Sequence, residues 1–421
     1  MGALSLGLDF GTSNTVAAVS DGESVRVLDL DLAAADARLF RSVLFFPDEG
    51  PFLAGAEAIA AYLELSDGRF LQSLKSFLPV KSFRATALKG RPFTLESLIA
   101  LILRRVREAA ERQVGEPITR VTLGRPARFN EDLEVDGFAE QRLRKAAEDA
   151  GFQDIVFRIE PLAAGLAHEA TLKADELVVT GDFGAGTSDF TVMRLSPSRH
   201  RQADRRQDIL ASGGVYVGGD RFDGMIMERH LLKHFGAHAT HQPLGSKQRI
   251  SMPAYLMQRL LGWHTMSFIR DADTQRFLED FLRTSDDKPA VGALLDLVNL
   301  NLGYHLFRAI EAAKVALSDQ PAARIRFSEA RVQVDVKLTR PEFERCIAPG
   351  VAQLAQCLDS VLAQAKLTAQ DIDAVVLTGG SSLIPAIGAL FEQRFGAAKV
   401  RRSDAFSAVA EGLAAAAAAS A

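Results

Sequence analysis

The sequence predicts an α/β protein laid down twice, as two lobes that each run from a strand meander into helices. Three observations predict it. The stretch LGLDFGTSNTVAAV at residues 6–19 returns as VTGDFGAGTSDFTV at residues 179–192, so one chain states Asp-Phe-Gly, a small-residue turn and a β-type run twice. Each statement opens a set of short alternating strands that gives way to helical periodicity. The chain has 421 residues, 48% of them hydrophobic, enough for two or three folding units or one large bilobed one. That composition excludes a disordered chain, and a net charge of −4 argues against a general binder of nucleic acid or anionic membrane.

Residues 4–8, 15–19 and 24–28 alternate or run apolar with glycine turns between them, the pattern of an antiparallel meander. Residues 41–46 continue as strand to Pro47. A helix is expected over 94–114, where Leu95, Leu98, Ile99, Ile102, Leu103 and Val106 fall on one face and Thr94 can cap the start. A strand over 120–124 stops at Pro126, a helix over 138–150 ends at Gly151, and 155–159 is again a strand. The plan then restarts with strands at 177–181, 189–195 and 208–213. Between the last two lies SPSRHRQADRR, read as a solvated hairpin tip rather than a binding patch. A mostly helical region is expected over 222–318, strands over 332–338 and 374–378, helices over 341–365 and 385–395, and a last helix from 407 that frays into an alanine-rich tail.

Cys346 and Cys357 share the 341–365 helix as small apolar residues, and their spacing suits neither a disulfide framework nor a zinc site. That usage fits a reducing, cytoplasmic compartment. The start MGALSLGLDFG lacks the basic segment of a secretory signal. Outside the alanine-rich tail no 18 residues run apolar without interruption, so no membrane association is expected. His230, His234, His238 and His241 would share a helix face as metal ligands can, but Gly236 interrupts that helix and no matching acidic or thiol set stands nearby.

The repeated turns carry the chemistry. Gly11, Gly184 and Gly186 let the backbone approach a ligand, and successive N–H groups in such a turn form an anion-binding concavity. Thr12, Ser13, Thr187 and Ser188 add hydroxyl donors. Asp9 and Asp182 would repel phosphate unless a cation intervened, which implies Mg²⁺ held largely through water. One such turn alone is also an ordinary structural turn; two matched turns, each heading a lobe, suggest polyphosphate gripped from both sides. A third loop, AVVLTGGSSLIP, runs a buried strand through Gly379 and Gly380 to a helix start and suits a nucleoside or its α-phosphate, or is a common strand-to-helix turn. A fourth, YVGGDRFD, sets Gly218, Gly219 and Asp220 at a helix start, where a plain cap is the other reading. In NLGYHLFRAIEAAKVALSD, Glu311, Lys314 and Ser318 share a face away from the apolar stripe of Leu302, Leu306, Ile310, Ala313 and Leu317, as either a ligand face or a solvated one.

In this order the loops resemble the nucleotide-binding domain of the heat shock protein 70 (DnaK-type) chaperones, within the actin, hexokinase and heat-shock ATPase superfamily, with a YegD-like member as the best fit among relatives. GLDFGTSNT and GDFGAGTSDF resemble the two phosphate loops, GGVYVGGDRFD the entry to the upper second lobe, VLTGGSSLIP the adenosine loop, LGRPARFN the strand that ends in proline, and FRIEPLAAGLAH the glutamate-proline helix start. The resemblance implies a two-lobed actin-like ATPase fold of duplicated ribonuclease-H-like domains with a helical insertion in the second lobe. Lobe I would cover 1–175 and lobe II 176–421, with a helix-rich subdomain at about 220–325 and no peptide-binding domain.

The resemblance also implies roles. Asp9 and Asp182 would hold hydrated Mg²⁺. Gly11, Thr12, Ser13 and Asn14 would cradle the β- and γ-phosphates, and Gly184, Ala185, Gly186 and Thr187 would close on them. Lys75, in LQSLKSFL, would steer the attacking water and neutralise γ-phosphate charge, with Glu160 and Asp189 ordering the water and metal shell. Gly218, Gly219, Asp220, Glu311, Lys314, Ser318, Gly379, Gly380, Ser381, Leu383 and Asp404 would face the nucleoside. Ala185 replaces a usual glycine, and Val315 and Leu383 stand where typical members place arginines over the adenine. A cation–π stack contributes about 0.5–2 kcal/mol, so weaker adenine binding or another purine preference is expected. The implied activity is slow hydrolysis of Mg–ATP in a switch that binds a protein client or co-chaperone. An actin-like filament or scaffold ATPase and a small-molecule kinase are the alternatives.

Overall fold

One strand order occurs twice in the computed structural model, which describes residues 4–21, 24–65, 68–130, 132–169, 172–199, 205–243, 245, 247–402 and 407–418. The first sheet contains β1 (Ser5–Phe10), β2 (Asn14–Ser20), β3 (Val25–Val27), β4 (Arg120–Arg125) and β5 (Asp154–Ile159) in the order β5-β4-β1-β2-β3. The second contains β6 (Glu176–Phe183), β7 (Ser188–Leu195), β8 (Ile209–Val215), β9 (Ala374–Thr378) and β10 (Val400–Arg402) in the order β8-β7-β6-β9-β10. In both, the first strand lies centrally, antiparallel to the second and parallel to the fourth. A parallel pairing needs a crossover. The helix Leu95–Val114 supplies it before β4, and the helix Leu133–Asp149 before β5.

Leu6, Leu8 and Phe10 of β1 enter one core with Leu98, Ile99, Ile102, Leu103 and Val106 of the first of these helices. Each buried side chain of this size contributes about 1.5–3 kcal/mol. That outweighs the cap, in which Thr94 Oγ1 accepts the Ser97 N–H at 3.2 Å, worth about 1 kcal/mol. On the opposite face of β1, Gly7 lies beneath the last helix, Ala408–Ala418. A Cβ there would stand 2.3 Å from Ala414 N. Gly412 of the same helix lies against Ala163 O, so the helix packs on both β1 and the helix Glu160–Glu169.

The described residues fall into two units, Met1–Tyr216 with Leu354–Ser382 and Ile387–Ala421, and Val217–Gln353 with Leu383–Ala386. Both sheets lie in the first. The second is mainly helical, from Gly219–Ile226 to Gly303–Asp319, but its pattern is less uniform than expected. A π-turn at Met227–Leu231 and a 3-10 turn at Leu232–Phe235 end at Gly236, whose φ of 78° closes the segment. The strand Ala322–Glu329 pairs with Val332–Thr339 across a turn at Ala330 (φ 48°), and only the second of these strands is evident from alternation.

Two local expectations are corrected. The helix expected from 138 begins at Leu133, because Asp132 Oδ1 accepts the N–H of Glu134 at 2.8 Å and so caps a turn that apolar spacing does not mark. The basic segment after β7 is not wholly solvated. Residues 200–204 lie outside the described residues, but Arg205 is buried, donating to both carboxylate oxygens of Glu169 and pairing with Asp208. The buried carboxylates of Glu169 and Asp208 require a cation there. Cys346 and Cys357 are free, and both lie on the helix Arg340–Gln364. By length and composition alone this helix could cross a membrane, but its Phe343, Ile347, Leu354, Leu358 and Val361 are buried within the protein.

Candidate functional site

Asp9 and Asp182 stand at the same place in the two copies, next to last in the central strand of each sheet. After Asp9 the chain reverses through Gly11, whose N–H donates to Asn14 O at 3.0 Å. A Cβ on Gly11 would lie 2.2 Å from that same oxygen, so only glycine closes this turn. In the second copy Gly184, Ala185, Gly186 and Thr187 make the turn into β7. A Cβ at Gly186 would sit 3.8 Å from Thr12 Cγ2, so the two turns face each other. Ser13 O accepts the Ser42 N–H, and Asn14 Oδ1 accepts from Arg41 Nη1 at 3.0 Å, which anchors the first turn to the following strand segment.

Three further groups join the two aspartates. Asp189 lies directly across the strand pair from Asp182. Its Oδ2 accepts from Thr187 Oγ1 at 3.2 Å. Glu160 is the first residue of the helix that follows β5 and is buried. Lys75 lies on the 3-10 turn Leu74–Phe77, behind Ser73 in the left-handed conformation (φ 57°), and its Nζ donates to Glu160 Oε1 at 2.8 Å.

Two glycines make room for these side chains, and sequence reasoning missed both. A Cβ on Gly124 would stand 2.9 Å from Glu160 Cγ, and one on Gly214 would stand 2.3 Å from Asp189 Oδ1. The available signal was a glycine inside a strand pattern, which marks a close approach.

Like charges opposite one another in a sheet repel, and the cluster shows it. Burial first, then Glu160 and Asp182, with Lys75 opposing, raise the Asp9 carboxyl to about 8. Burial, Asp189 and Glu160 raise Asp182 to about 7, and burial with Glu160 raises Asp189 to about 6. Burial alone would lower Lys75, but Glu160, Asp9 and Asp182 together hold its ammonium above the ordinary value. Four carboxylates thus surround one ammonium, and the site is short of positive charge.

The third loop belongs to the same unit. Gly379 (φ 83°) presses against the end of β6, where a Cβ would meet Phe183 O at 2.3 Å. Gly380 and Ser381 follow on the 3-10 turn Gly380–Leu383, and Ser382 Oγ donates to Gly379 O at 2.7 Å.

Gly218, Gly219, Asp220, Glu311, Lys314, Ser318 and Leu383 belong to the second unit. There Gly218 precedes the helix Gly219–Ile226, and Asp220 lies in its first turn. Lys314 is buried: its Nζ donates to Gly219 O at 3.0 Å and to Asp223 Oδ2 at 2.8 Å. Glu311 pairs with Arg308 at 2.7 Å on the surface. Val315 and Leu383 are 60% and 50% exposed, so neither is committed to the core. Asp404 lies outside the described residues. Among the described residues, no three His, Cys, Asp or Glu side chains are arranged to ligate a metal ion directly.

A family model described as Hsp70 protein matches residues 80–252 and 296–420. Curated relatives match more of the chain than the family model does. A chaperone protein DnaK of Thermosipho melanesiensis is 26% identical over 417 residues, covering 97% of this chain and 58% of the relative. Those of Cyanidioschyzon merolae and Cyanophora paradoxa are each 25% identical, covering 93% and 92% of this chain and 58% and 56% of the relatives. The chain therefore spans little more than half the length of these relatives.

Proposed function

The chain belongs to the Hsp70 family, and on that premise we propose that it binds Mg–ATP and hydrolyses it slowly as a chaperone-type switch. Its fold is the actin-like ATPase fold of that family. The reading divides the nucleotide-binding domain into lobe I over 1–175 and lobe II over 176–421, and places ATP or ADP against the two facing turns. One observation carries it: the carboxylates of Asp9, Asp182, Asp189 and Glu160 gather around a single lysine at the ends of two matched strands.

That donor set fits a hydrated divalent cation. The oxygen donors are hard, and the excess negative charge is what such an ion offsets. When bound, Mg²⁺ neutralises phosphate charge and leaves Asp9 and Asp182 as acceptors for its water shell. The N–H groups of Thr12 and Ser13 and those of Gly184–Thr187 would donate to phosphate oxygens, with the hydroxyls of Thr12 and Ser13 beside them, while Gly11, its N–H taken by Asn14 O, closes the turn and the Thr187 hydroxyl stays on Asp189. Lys75 Nζ, already within 2.8 Å of Glu160, supplies the positive charge for the γ-phosphate. Glu160 and Asp189 accept from the attacking water and hold it in line. Among the described residues Lys75 is the cation beside the three raised aspartates, and the reading includes no arginine finger. NTPases without one turn over at about 10⁻²–10⁻⁴ s⁻¹.

The switch follows from the γ-phosphate touching both turns: ATP favours their approach and ADP releases it. A protein client and a co-chaperone are the expected partners, and exposed Val315 and Leu383 give a weaker hold on adenine than an arginine pair would. Calorimetric titration with Mg–ATP and Mg–ADP, followed by single-turnover hydrolysis, tests the reading on wild type and Asp182→Asn. Binding that needs Mg²⁺ and weakens in the variant supports it. Equal, metal-independent binding in both proteins, or turnover at metabolic-kinase rates, overturns it.

A further inference from the structure

Lys75 lies on a segment held by isolated turns, in which Ser76, Leu78, Val80 and Phe83 N–H donate to the carbonyls of Ser73, Lys75, Phe77 and Val80, with Leu74 and Leu78 buried. After the turn Leu74–Phe77, residues 78–84 form neither helix nor strand, so the backbone has no ladder to hold it in place. Ordering such a loop costs about 1–2 kcal/mol per residue, and something outside it must offset that cost. The structure assigns this task to Arg142, on the helix Leu133–Asp149. We propose that Arg142 is a positioning residue that clamps the 74–83 loop and thereby sets the Lys75 ammonium opposite Glu160.

Arg142 is 5% exposed. Its Nη2 donates to Phe83 O at 3.0 Å, and its Nη1 stands 3.3–3.5 Å from the carbonyls of Phe77, Leu78 and Val80. Its Nε donates to Glu96 Oε1. Phe138 lies under the guanidinium at 5.3 Å, and the Phe77 and Phe83 rings pack against each other at the two ends of the clamped segment.

A planar fork with five donors can gather several carbonyls that have no strand partner; an ammonium cannot span them. The buried charge is balanced. Burial is the largest influence and pushes the Glu96 carboxyl up, but the Arg142 hydrogen bond and charge, the Glu96 backbone N–H and Thr94 together hold it below its ordinary value, so the pair stays ionised. The link to Lys75 is short, because Leu78 N donates to Lys75 O at 3.2 Å and the Leu78 carbonyl lies at the Arg142 fork. A displacement of about 1 Å at a reacting group can cost about 10²-fold in rate.

This inference rests on reading Lys75 as catalytic, and its test separates the two. In the nucleotide-free full chain, Lys75 acetylation by an amine-reactive ester is followed by mass spectrometry, with exposed Lys145 as the internal reference, alongside amide hydrogen exchange over 74–83. Arg142→Met is expected to raise Lys75 labelling relative to Lys145 about tenfold and to speed exchange in that loop alone. Arg142→Lys is expected not to restore protection. If Arg142→Met folds poorly because Glu96 is left unpaired, Arg142→Met with Glu96→Gln replaces it. Unchanged labelling and exchange overturn the clamp, whether or not the chain hydrolyses ATP.

Single-turnover hydrolysis then reads the coupling. Arg142→Met is expected to slow it about 10–100-fold with the Kd for Mg–ATP changed less than about threefold, and Arg142→Met combined with Lys75→Met to be no slower than Lys75→Met alone. A further multiplicative loss in the combined variant overturns action through Lys75. A Lys75→Met chain that hydrolyses at the wild-type rate removes the catalytic reading and leaves the labelling result to decide the clamp.

Discussion

The two copies of the sheet share strand order and direction but differ in what stands opposite their aspartates. In the first copy Asp9 faces apolar Val16 across the strand pair, and its charged neighbours Lys75 and Glu160 come from outside the meander. In the second copy Asp182 faces Asp189, so two carboxylates lie side by side within the meander itself, with Thr187 donating to one of them. The repeated plan places the turns. The chemistry differs because the chain between β3 and β4 brings the lysine to the first copy, while the chain between β8 and β9 makes most of the second unit. A duplicated frame can thus be built twice from one pattern and still differ in its charges: one half has a buried lysine brought to it, the other two facing acids.

The largest expected effect tests that difference directly. Lys75→Met should slow single-turnover hydrolysis about 10²–10³-fold, the loss that follows removal of one preorganised charge donor, with a much smaller change in nucleotide affinity. A comparable loss of affinity would show that the lysine holds ground-state phosphate and would break the contrast. Next, Asp182→Asn should weaken Mg²⁺-dependent ATP binding about 10–100-fold by calorimetry, and more than Asp9→Asn does, because it disrupts the half that holds two facing carboxylates. Equal effects would make the halves equivalent.

Proton linkage sharpens the comparison further. The three raised aspartates bind more protons folded than unfolded above about pH 4, so their effect is to make stability fall as pH rises. The Asp182–Asp189 pair should stop contributing to the fall above about pH 7, while Asp9 extends it to about pH 8. Thermal midpoints without nucleotide should therefore decline from pH 5 to pH 8.5. Asp189→Asn should flatten the lower part of that decline and Asp9→Asn the upper part, and Mg²⁺ should raise the midpoint more at pH 8 than at pH 5. A flat profile in wild type would contradict the electrostatic picture.

Packing gives the smaller effects. Gly214→Ala drives a Cβ into Asp189 and should destabilise by about 1–3 kcal/mol in urea unfolding. Gly137→Ala, in the helix Leu133–Asp149 with open space around the added methyl, should instead stabilise by about 0.5–1 kcal/mol.

Much of the frame was legible because its determinants are contiguous. The aspartate, glycine and hydroxyl residues of each turn occur within a few positions, and the buried face of Leu95–Val114 follows simple periodicity. Other parts depend on distant partners. Lys75 has no periodic context, and its carboxylate partner is 85 positions away, so only family resemblance singled it out. The space made by Gly124 and Gly214 becomes visible only when neighbouring strands are paired. Arg205 reads as part of a polar tip until Glu169 and Asp208 are found beside it. Lys314 reads as a possible ligand face, yet in the fold its ammonium is occupied by Asp223 and a backbone carbonyl. Charge partners far apart in sequence leave no local trace.

The seating of Ala408–Ala418 on Gly7 has a consequence for how the molecule is made. β1 cannot receive the cover over its Gly7 face until some four hundred further residues have left the ribosome. Until then the nascent sheet must wait with Val16 and Ala18 of β2 bare, a state in which a holding chaperone would find a binding site. Covering of that flank should coincide with the emergence of residues 408–418, so biogenesis, rather than nucleotide, would set the first moment at which this sheet is whole.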